Sequence, residues 1–596
     1  MKHQKKLRFG AVMLSAAMLA GQSALLSAPA ASAADPNYGE ALAMSLYFYD
    51  SNACGSGITG GPLTWRGDCH TYDGQASVSG LSGEALQAVD PDGDGKVDLD
   101  GGYHDAGDHV KFNLTIGFSM SSLALSEYLN EGVYAKAGCR DHLEYVLRRG
   151  ADFMMKSTFM DGSGSVVAVA GTIGDGNVDH GEFAPPEDQT YQRDVFWLTA
   201  GNNNSAVCCA MAAGIAGTAY ITQKSDPAYS AKCVKYAKAL IDFATSHVGN
   251  NTAGMSFYST DAMYQDEESV ARGWLYVLGE GDRPTRTPNN GDYGGIGDWD
   301  KYTWDKEWQG YAAMMYKKTG DTAFYNELKY EHEKNGLSSS SYKGDAGWGN
   351  SRYNCALQMT ALSLAGDDKD SEYAKAAKFQ MDYILGNNSY GYSFLIGYGD
   401  KWPTHIHHRA AQHLAPGQSL ANNPEVKYTN YGTLVGGANN DGYEDHSDKY
   451  QYTEPALDYN GCFALACAGL YRLYGGDATA LNAIKSSASE INDSFVFGSS
   501  DPQPPETTEP AVTTTTEPAV TTEAPQPGEL KLGDVDVNGD VNVADAVLLA
   551  RFLAEDKDVE VSAQGKLNAD CNQDNNTTAD DNTMILEYLA GIRASL

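Results

Sequence analysis

Among 78 acidic side chains, two stretches set carboxylates where they could do chemistry. In Gly101-Gly102-Tyr103-His104-Asp105-Ala106-Gly107-Asp108-His109, two carboxylates stand three residues apart among small residues that admit a water or a ligand. Taken alone, this cluster fits a capped helix start or a metal loop as well as a general base. Over 443–460, Asp445 and Glu454 lie among Tyr443, Tyr450, Tyr452 and Tyr459, just ahead of an apolar run. A desolvated Glu454 there would have a raised pKa, as a general acid requires. One protonated acid and one carboxylate are what cleavage of a glycosidic bond needs, the second either attacking carbon or activating water.

A second chemistry is written near the C-terminus. Asp534, Asp536, Asn538, Gly539, Asp540, Asn542 and Asp545 occupy positions 1, 3, 5, 6, 7, 9 and 12 of a calcium loop, with Asp in place of the usual final Glu. Thirty-six residues on, Asp570, Asn572, Asp574, Thr578 and Asp581 repeat the pattern, with Asn575 at the Gly position. One Asp-rich loop is ordinarily a solvated turn, whereas two in register point to bound Ca2+, two ions in all. Helices are predicted after the loops, over 546–553 and 582–589, and before neither. The loop over 90–98 also has calcium spacing but carries Gly101 at position 12, and reads more readily as an exposed turn.

These groups need a scaffold. Apolar residues recur at helical spacing over 38–50, 118–129, 141–158, 206–221, 226–246, 267–278, 308–318, 354–364, 373–385 and 461–474. Gly279, Gly320, Gly366, Gly386 and Gly475 follow several of these segments, as left-handed C-caps do. Alternating strand patterns are scarce, which predicts an all-α body of about ten to twelve helices with its chemistry on the loops.

The flanks set compartment and organisation. Lys2, Lys5, Lys6 and Arg8, an apolar run over 9–19 and Ala31-Ser32-Ala33 read as a secretory signal peptide over 1–34. No later segment reads as the roughly 20 apolar residues of a membrane span, so no membrane insertion is expected and the mature chain should be exported. A body over 35–498 is followed by a Pro/Thr-rich linker over 499–530, which repeats TTEPAVTT in tandem, and a small unit over 531–596. The 42 basic and 78 acidic residues give a net charge of -36, which excludes nucleic acid and anionic lipid as partners. A neutral polymer fits better, since 37 Tyr and 8 Trp offer flat faces to sugar rings. Of ten cysteines, Cys54 and Cys69 could form a local bridge; no CxxC pair or Cys/His cluster is visible, so a structural zinc site is not expected.

The body resembles glycoside hydrolase family 9 over about 37–495. The resemblance is carried by WRGDC at 65–69, GGYHDAGDHVKF at 101–112, SFLIGYGDKWPTHIHHR at 393–409 and the segment 443–460. It implies an inverting cellulase with an (α/α)6 barrel. Asp108 would be the general base, Asp105 its partner in holding water, Glu454 the general acid and Asp445 a further signature carboxylate. It would make His407 and Arg409 ligands of sugar hydroxyls, and would line the cleft with His180, Tyr258, Trp348, Tyr353 and Tyr459. Phe183 stands where the family usually has Trp. Asp266, Glu267 and Asp305 match positions that bind a structural calcium in many relatives, helix capping being the other reading. The small unit resembles a dockerin, which implies calcium-dependent folding and a cohesin partner on a scaffolding protein. Together the resemblances imply a secreted, cellulosome-associated endo-β-1,4-glucanase acting on cellulose or a related β-glucan, monomeric apart from the scaffold. Processive release of cellobiose, hydrolysis of mixed-linkage glucan or xyloglucan, and a non-catalytic polysaccharide-binding role are the alternatives.

Overall fold

A computed structural model of the chain describes residues 36–498 and 531–593, apart from 182, 253, 256, 259, 261–262, 287–300, 345–346, 416–417, 478–484 and 486–487 in the first stretch and 538–540, 542, 554–560, 573–576 and 590–592 in the second. The leader read over 1–34 and the linker read over 499–530 lie outside the described residues. The chain divides into two compact units, Met1–Thr507 and Thr508–Leu596.

In the first unit the periodic segments are helices: α1 Tyr38–Ser45, α2 Asn113–Leu129, α3 Arg140–Lys156, α4 Ser205–Thr222, α5 Pro227–Ser246, α6 Gln265–Leu278, α7 Trp308–Thr319, α8 Thr322–Asn335, α9 Asn350–Ala365, α10 Glu372–Ile384 and α11 Leu457–Tyr474. Helices α2, α4, α9 and α11 are buried nearly all round, whereas α3, α5, α8 and α10 bury one face each. An apolar surface on every side is what an inner ring needs, and a single apolar stripe suits an outer one. Helix α2 packs on α4 and α11, and α11 on α9. The architecture is an (α/α)6 barrel. The close packing of α2 on α4 rests on glycine: a Cβ on Gly117 of α2 would meet the Ala210 carbonyl oxygen of α4 at 2.4 Å.

Three features depart from the sequence expectations. Helix α4 is long and apolar enough to cross a membrane by length and composition, although no such segment was expected; 94% of it is buried inside the barrel. A small antiparallel sheet accompanies the helices, with Val166–Ile173 paired to Lys111–Phe112, Thr158–Met160 and Val195–Thr199. Its central strand is buried along both faces and therefore carries no alternation to read. Helix α8 was also not expected: it buries only Phe324, Glu327, Leu328 and Glu331 of fourteen residues, leaving a faint periodicity.

The second unit holds α12 Val543–Leu553, α13 Ala563–Ala569 and α14 Ala579–Leu589 around Val535, Leu549, Val561 and Ile585. Helix α13 directly precedes Asp570, so the expectation that no helix comes before either loop fails for the second. At seven residues, started by a Ser562 side chain that accepts from Gly565 N, it is too short and polar to show a stripe.

Candidate active site

Two loops meet at the catalytic candidates. The loop ahead of α2 carries Asp105 and Asp108; the loop ahead of α11 carries Glu454. Leu457 N donates to Asp105 O at 2.9 Å, and Arg409 N to Gly107 O at 3.0 Å. The loops touch because residue 107 has no side chain: a Cβ there would lie 2.1 Å from His407 O and 3.2 Å from Glu454 Oε1.

Asp105 and Asp108 are both buried. Thr115 Oγ1 donates to one Asp105 oxygen and the Tyr258 hydroxyl to the other. Burial and the neighbouring Asp108 charge push the Asp105 carboxyl up. Burial would raise Asp108 too, but His180, Arg409 and the Ala106 N–H outweigh it and hold its carboxyl below the ordinary value. His180 Nε2 lies 3.5 Å from Asp108 Oδ2, and Ala106 N donates to Oδ1 at 3.1 Å. Glu454 is only half-buried by surface, yet packing around its carboxyl, with the Asp108 charge, pushes its pKa up to about 8 against the opposing pull of Arg409. Asp108 is thus biased toward the carboxylate and Glu454 toward the carboxylic acid at neutral pH.

The remaining candidates are distributed unequally. His407 Nδ1 donates to Ser447 O at 2.7 Å, and burial lowers its pKa to about 4, leaving a neutral ring whose Nε2 can accept. Arg409 stacks over Phe183 at 4.9 Å. Tyr353 and Tyr459 are almost wholly buried and flank the Arg352 guanidinium at 4.3 and 4.7 Å. Trp348 is 48% exposed and pairs with Tyr450 at 4.8 Å. Asp445 stands apart from the pair: it accepts from Thr404 N at 3.2 Å, His405 N at 3.3 Å and His405 Nδ1 at 3.2 Å, bracing two loops together. Sequence reasoning missed Phe257, 46% exposed and 4.6 Å from His180, and Tyr450. An exposed aromatic next to a cleft histidine becomes visible only once the loops are folded.

The calcium ligands expected from the sequence lie elsewhere in the fold. Asp266 and Glu267 are buried at the start of α6, and burial raises both. Glu307, unforeseen in the sequence, is buried beside them and donates its N–H to Asp266 Oδ2 at 2.8 Å. Its two carboxylate oxygens and Glu267 Oε2 hydrogen-bond to nothing among the described residues. Asp305 is partly exposed, 3.8 Å from Lys306 Nζ. In the second unit Asp534, Asp536 and Asp545 bring carboxylate oxygens within 4.8 Å of one another. Asp581 accepts from Asn572 N at 3.2 Å and Thr578 N at 2.8 Å. Asp570 and Asn572 open the loop that Asp581 closes; Asn538, Asp540 and Asp574 lie outside the described residues. Asp90, Asp92 and Asp94 also converge within 4.8 Å, on an exposed loop.

A Cys/His cluster, which was not expected, forms behind the base loop. Cys54, Cys69, His70 and His104 are buried, with ligand atoms all within 4.8 Å of one another. The sequence hid it because the four span fifty residues and are gathered only by pairing of Gly55 with Cys69 and of Ala53 with Tyr103. All ten cysteines are free, so Cys54 and Cys69 share this cluster instead of a disulfide. Two thiols and two imidazoles at this spacing suit a tetrahedral zinc ion.

Comparison with known proteins bears on both units. Residues 38–467 match the family model of Glycosyl hydrolase family 9, and residues 532–590 that of the Dockerin type I domain. An endoglucanase of Dictyostelium discoideum is 31% identical over 455 residues, 73% of this chain and 61% of that protein. Endoglucanase B of Cellulomonas fimi is 31% identical over 481 residues, 76% of this chain and 43% of that protein. The chain therefore spans about three fifths of the first relative and less than half of the second. Among solved structures, the catalytic domain of Clostridium thermocellum CelT aligns with a TM-score of 0.67 at 32% identity, over 77% of this chain and 99% of that one. The cellulase Cel9M of C. cellulolyticum in complex with cellobiose aligns at 0.62 and 30%, over 74% and 99%.

Proposed function

Because the chain belongs to Glycosyl hydrolase family 9, we propose that it is an endo-β-1,4-glucanase that hydrolyses cellulose with inversion at the anomeric carbon. The observation that carries the roles is the meeting of two carboxyl groups on touching loops in opposite settings, Asp108 beside His180 and the Ala106 N–H, which lower its pKa, and Glu454 packed where burial raises its pKa. Asp108 takes a proton from a water whose oxygen bonds to the anomeric carbon, while the glycosidic bond breaks and Glu454 gives its proton to the departing glycosidic oxygen. Asp105, fixed by Thr115 and Tyr258, holds the water beside Asp108. His407 Nε2 and Arg409 bind sugar hydroxyls; His180, Tyr258, Trp348, Tyr353 and Tyr459 line the cleft, and Asp445 keeps the acid loop in register. Cellobiose in the Cel9M complex supports a β-1,4-glucan as ligand.

Type I dockerin domains bind calcium. We assign one ion to each loop, through Asp534, Asp536, Asn538, Asp540 and Asp545 and through Asp570, Asn572, Asp574 and Asp581, and the unit to a cohesin. A further calcium at Asp266, Glu267 and Asp305 is supported by the orphaned oxygens of Glu267 and Glu307. Export and attachment to a cellulosome scaffold complete the reading.

The deciding experiment follows the anomeric proton by NMR as the protein cleaves a soluble cello-oligosaccharide. Release of α-anomer first is expected. The β-anomer first would overturn the assignment of roles, and an uncleaved substrate the glucanase reading itself.

A further inference from the structure

A fourth carboxylate, Asp179, stands beside Asp108 and has no surface exposed. It closes a short helical turn, Gly176–Asp179. Its Oδ2 accepts from His109 N at 3.3 Å and lies 3.6 Å from Arg409 Nη1, while Oδ1 accepts from the Tyr191 hydroxyl. Arg409 Nη1 also donates to Gly107 O at 3.1 Å. Asp179 therefore grips the base loop on both sides of Asp108, directly at residue 109 and through Arg409 at residue 107. The next residue, His180, contacts Asp108 itself. With no exposed surface, Asp179 cannot touch a sugar.

Resting on the reading of Asp108 as base and Glu454 as acid, we propose that Asp179 is their shared positioning residue. It clamps the base loop and sets how much of the Arg409 charge reaches the two carboxyl groups. Asp179 faces Asp108, His180, Arg409, Tyr191 and Arg193; Glu454 faces Asp108, Arg409 and Tyr459. Arg409 lowers Glu454, so a neutral residue at 179 would leave that cation less compensated and lower Glu454 further. A residue that merely filled space would cost turnover without moving this titration.

The test is the pH dependence of kcat/KM on cellotetraose for Asp179→Asn, which keeps the volume and one acceptor oxygen. The alkaline limb, where Glu454 loses its proton, is expected to move down by about one pH unit, the scale of a nearby charge. Tyr191→Phe, which keeps the Asp179 charge, is expected to leave that limb in place. If Asp179→Asn does not fold, Arg409→Gln supplies the converse: loss of the cation should move the limb upward. An alkaline limb unmoved in Asp179→Asn, or in Arg409→Gln if that variant is the one measured, overturns the proposal. Asp108→Asn separates the two readings. Near-full turnover in that variant would overturn the base assignment, whereas an inactive Asp108→Asn beside an unmoved Asp179→Asn limb overturns only the role of Asp179.

Discussion

Asp108 and Glu454 stay in opposite protonation states because different neighbours touch them. His180 and the Ala106 N–H contact Asp108 directly, whereas Glu454 is opposed mainly by burial and the Asp108 charge. Activity is therefore expected to fall as pH rises through about 8, where Glu454 ionises. Glu454→Gln should cut turnover by about 10²- to 10⁴-fold, the usual worth of a general acid. It should also change stability in a fixed direction. The folded Glu454 keeps its proton up to about 8 against an ordinary 4.5, so its favourable contribution is complete below about 4.5 and is lost as pH rises to about 8. Measured by thermal unfolding, the Tm of Glu454→Gln relative to the parent is expected to rise from pH 4.5 to pH 8; a flat difference would contradict the raised pKa. The carboxylates were legible through the motifs they stand in, 101–112 and 443–460, which carry the family resemblance. Asp179, Phe257 and Glu307 were not, since what marks each is a contact across the fold.

At the scale of elements, the site depends on how closely two loops approach. Gly107→Ala places a methyl group where His407 O stands, and the backbone must yield. A cost of about 1–3 kcal/mol is expected by thermal unfolding, with a loss of turnover larger than that destabilisation explains. The Cys54, Cys69, His70 and His104 cluster supports the same loop from behind, as His104 directly precedes Asp105. Elemental analysis should find one zinc per chain in this cluster, and Cys69→Ala should lose it together with several degrees of Tm. Element types followed the strength of their patterns. Long helices with a broad apolar surface were readable, and the short α13, the polar α8 and the strand Val166–Ile173 were not, since burial on both faces or on almost none leaves no period to find.

Across the whole molecule, chemistry and attachment are encoded in separate stretches of chain, each with its own apolar cluster. The second unit is small: Val535, Ala546, Leu549, Val561, Ala569, Cys571 and Ile585 are its buried apolar residues among the described residues. So few side chains stabilise a fold weakly, which makes the converging carboxylates decisive. Asp534, Asp536 and Asp545 repel one another unless a cation lies between them, and Asp545 additionally holds Val535 N and Asp536 N. Asp545→Ala removes a calcium ligand and this brace at once. In the full chain it is expected to abolish calcium-dependent binding to a cohesin and to lower the first thermal transition. Turnover of a soluble cello-oligosaccharide should remain within about twofold, since each unit has its own apolar cluster and sites that share no partners do not couple. Loss of turnover together with binding would mean that the two stretches fold as one cooperative unit.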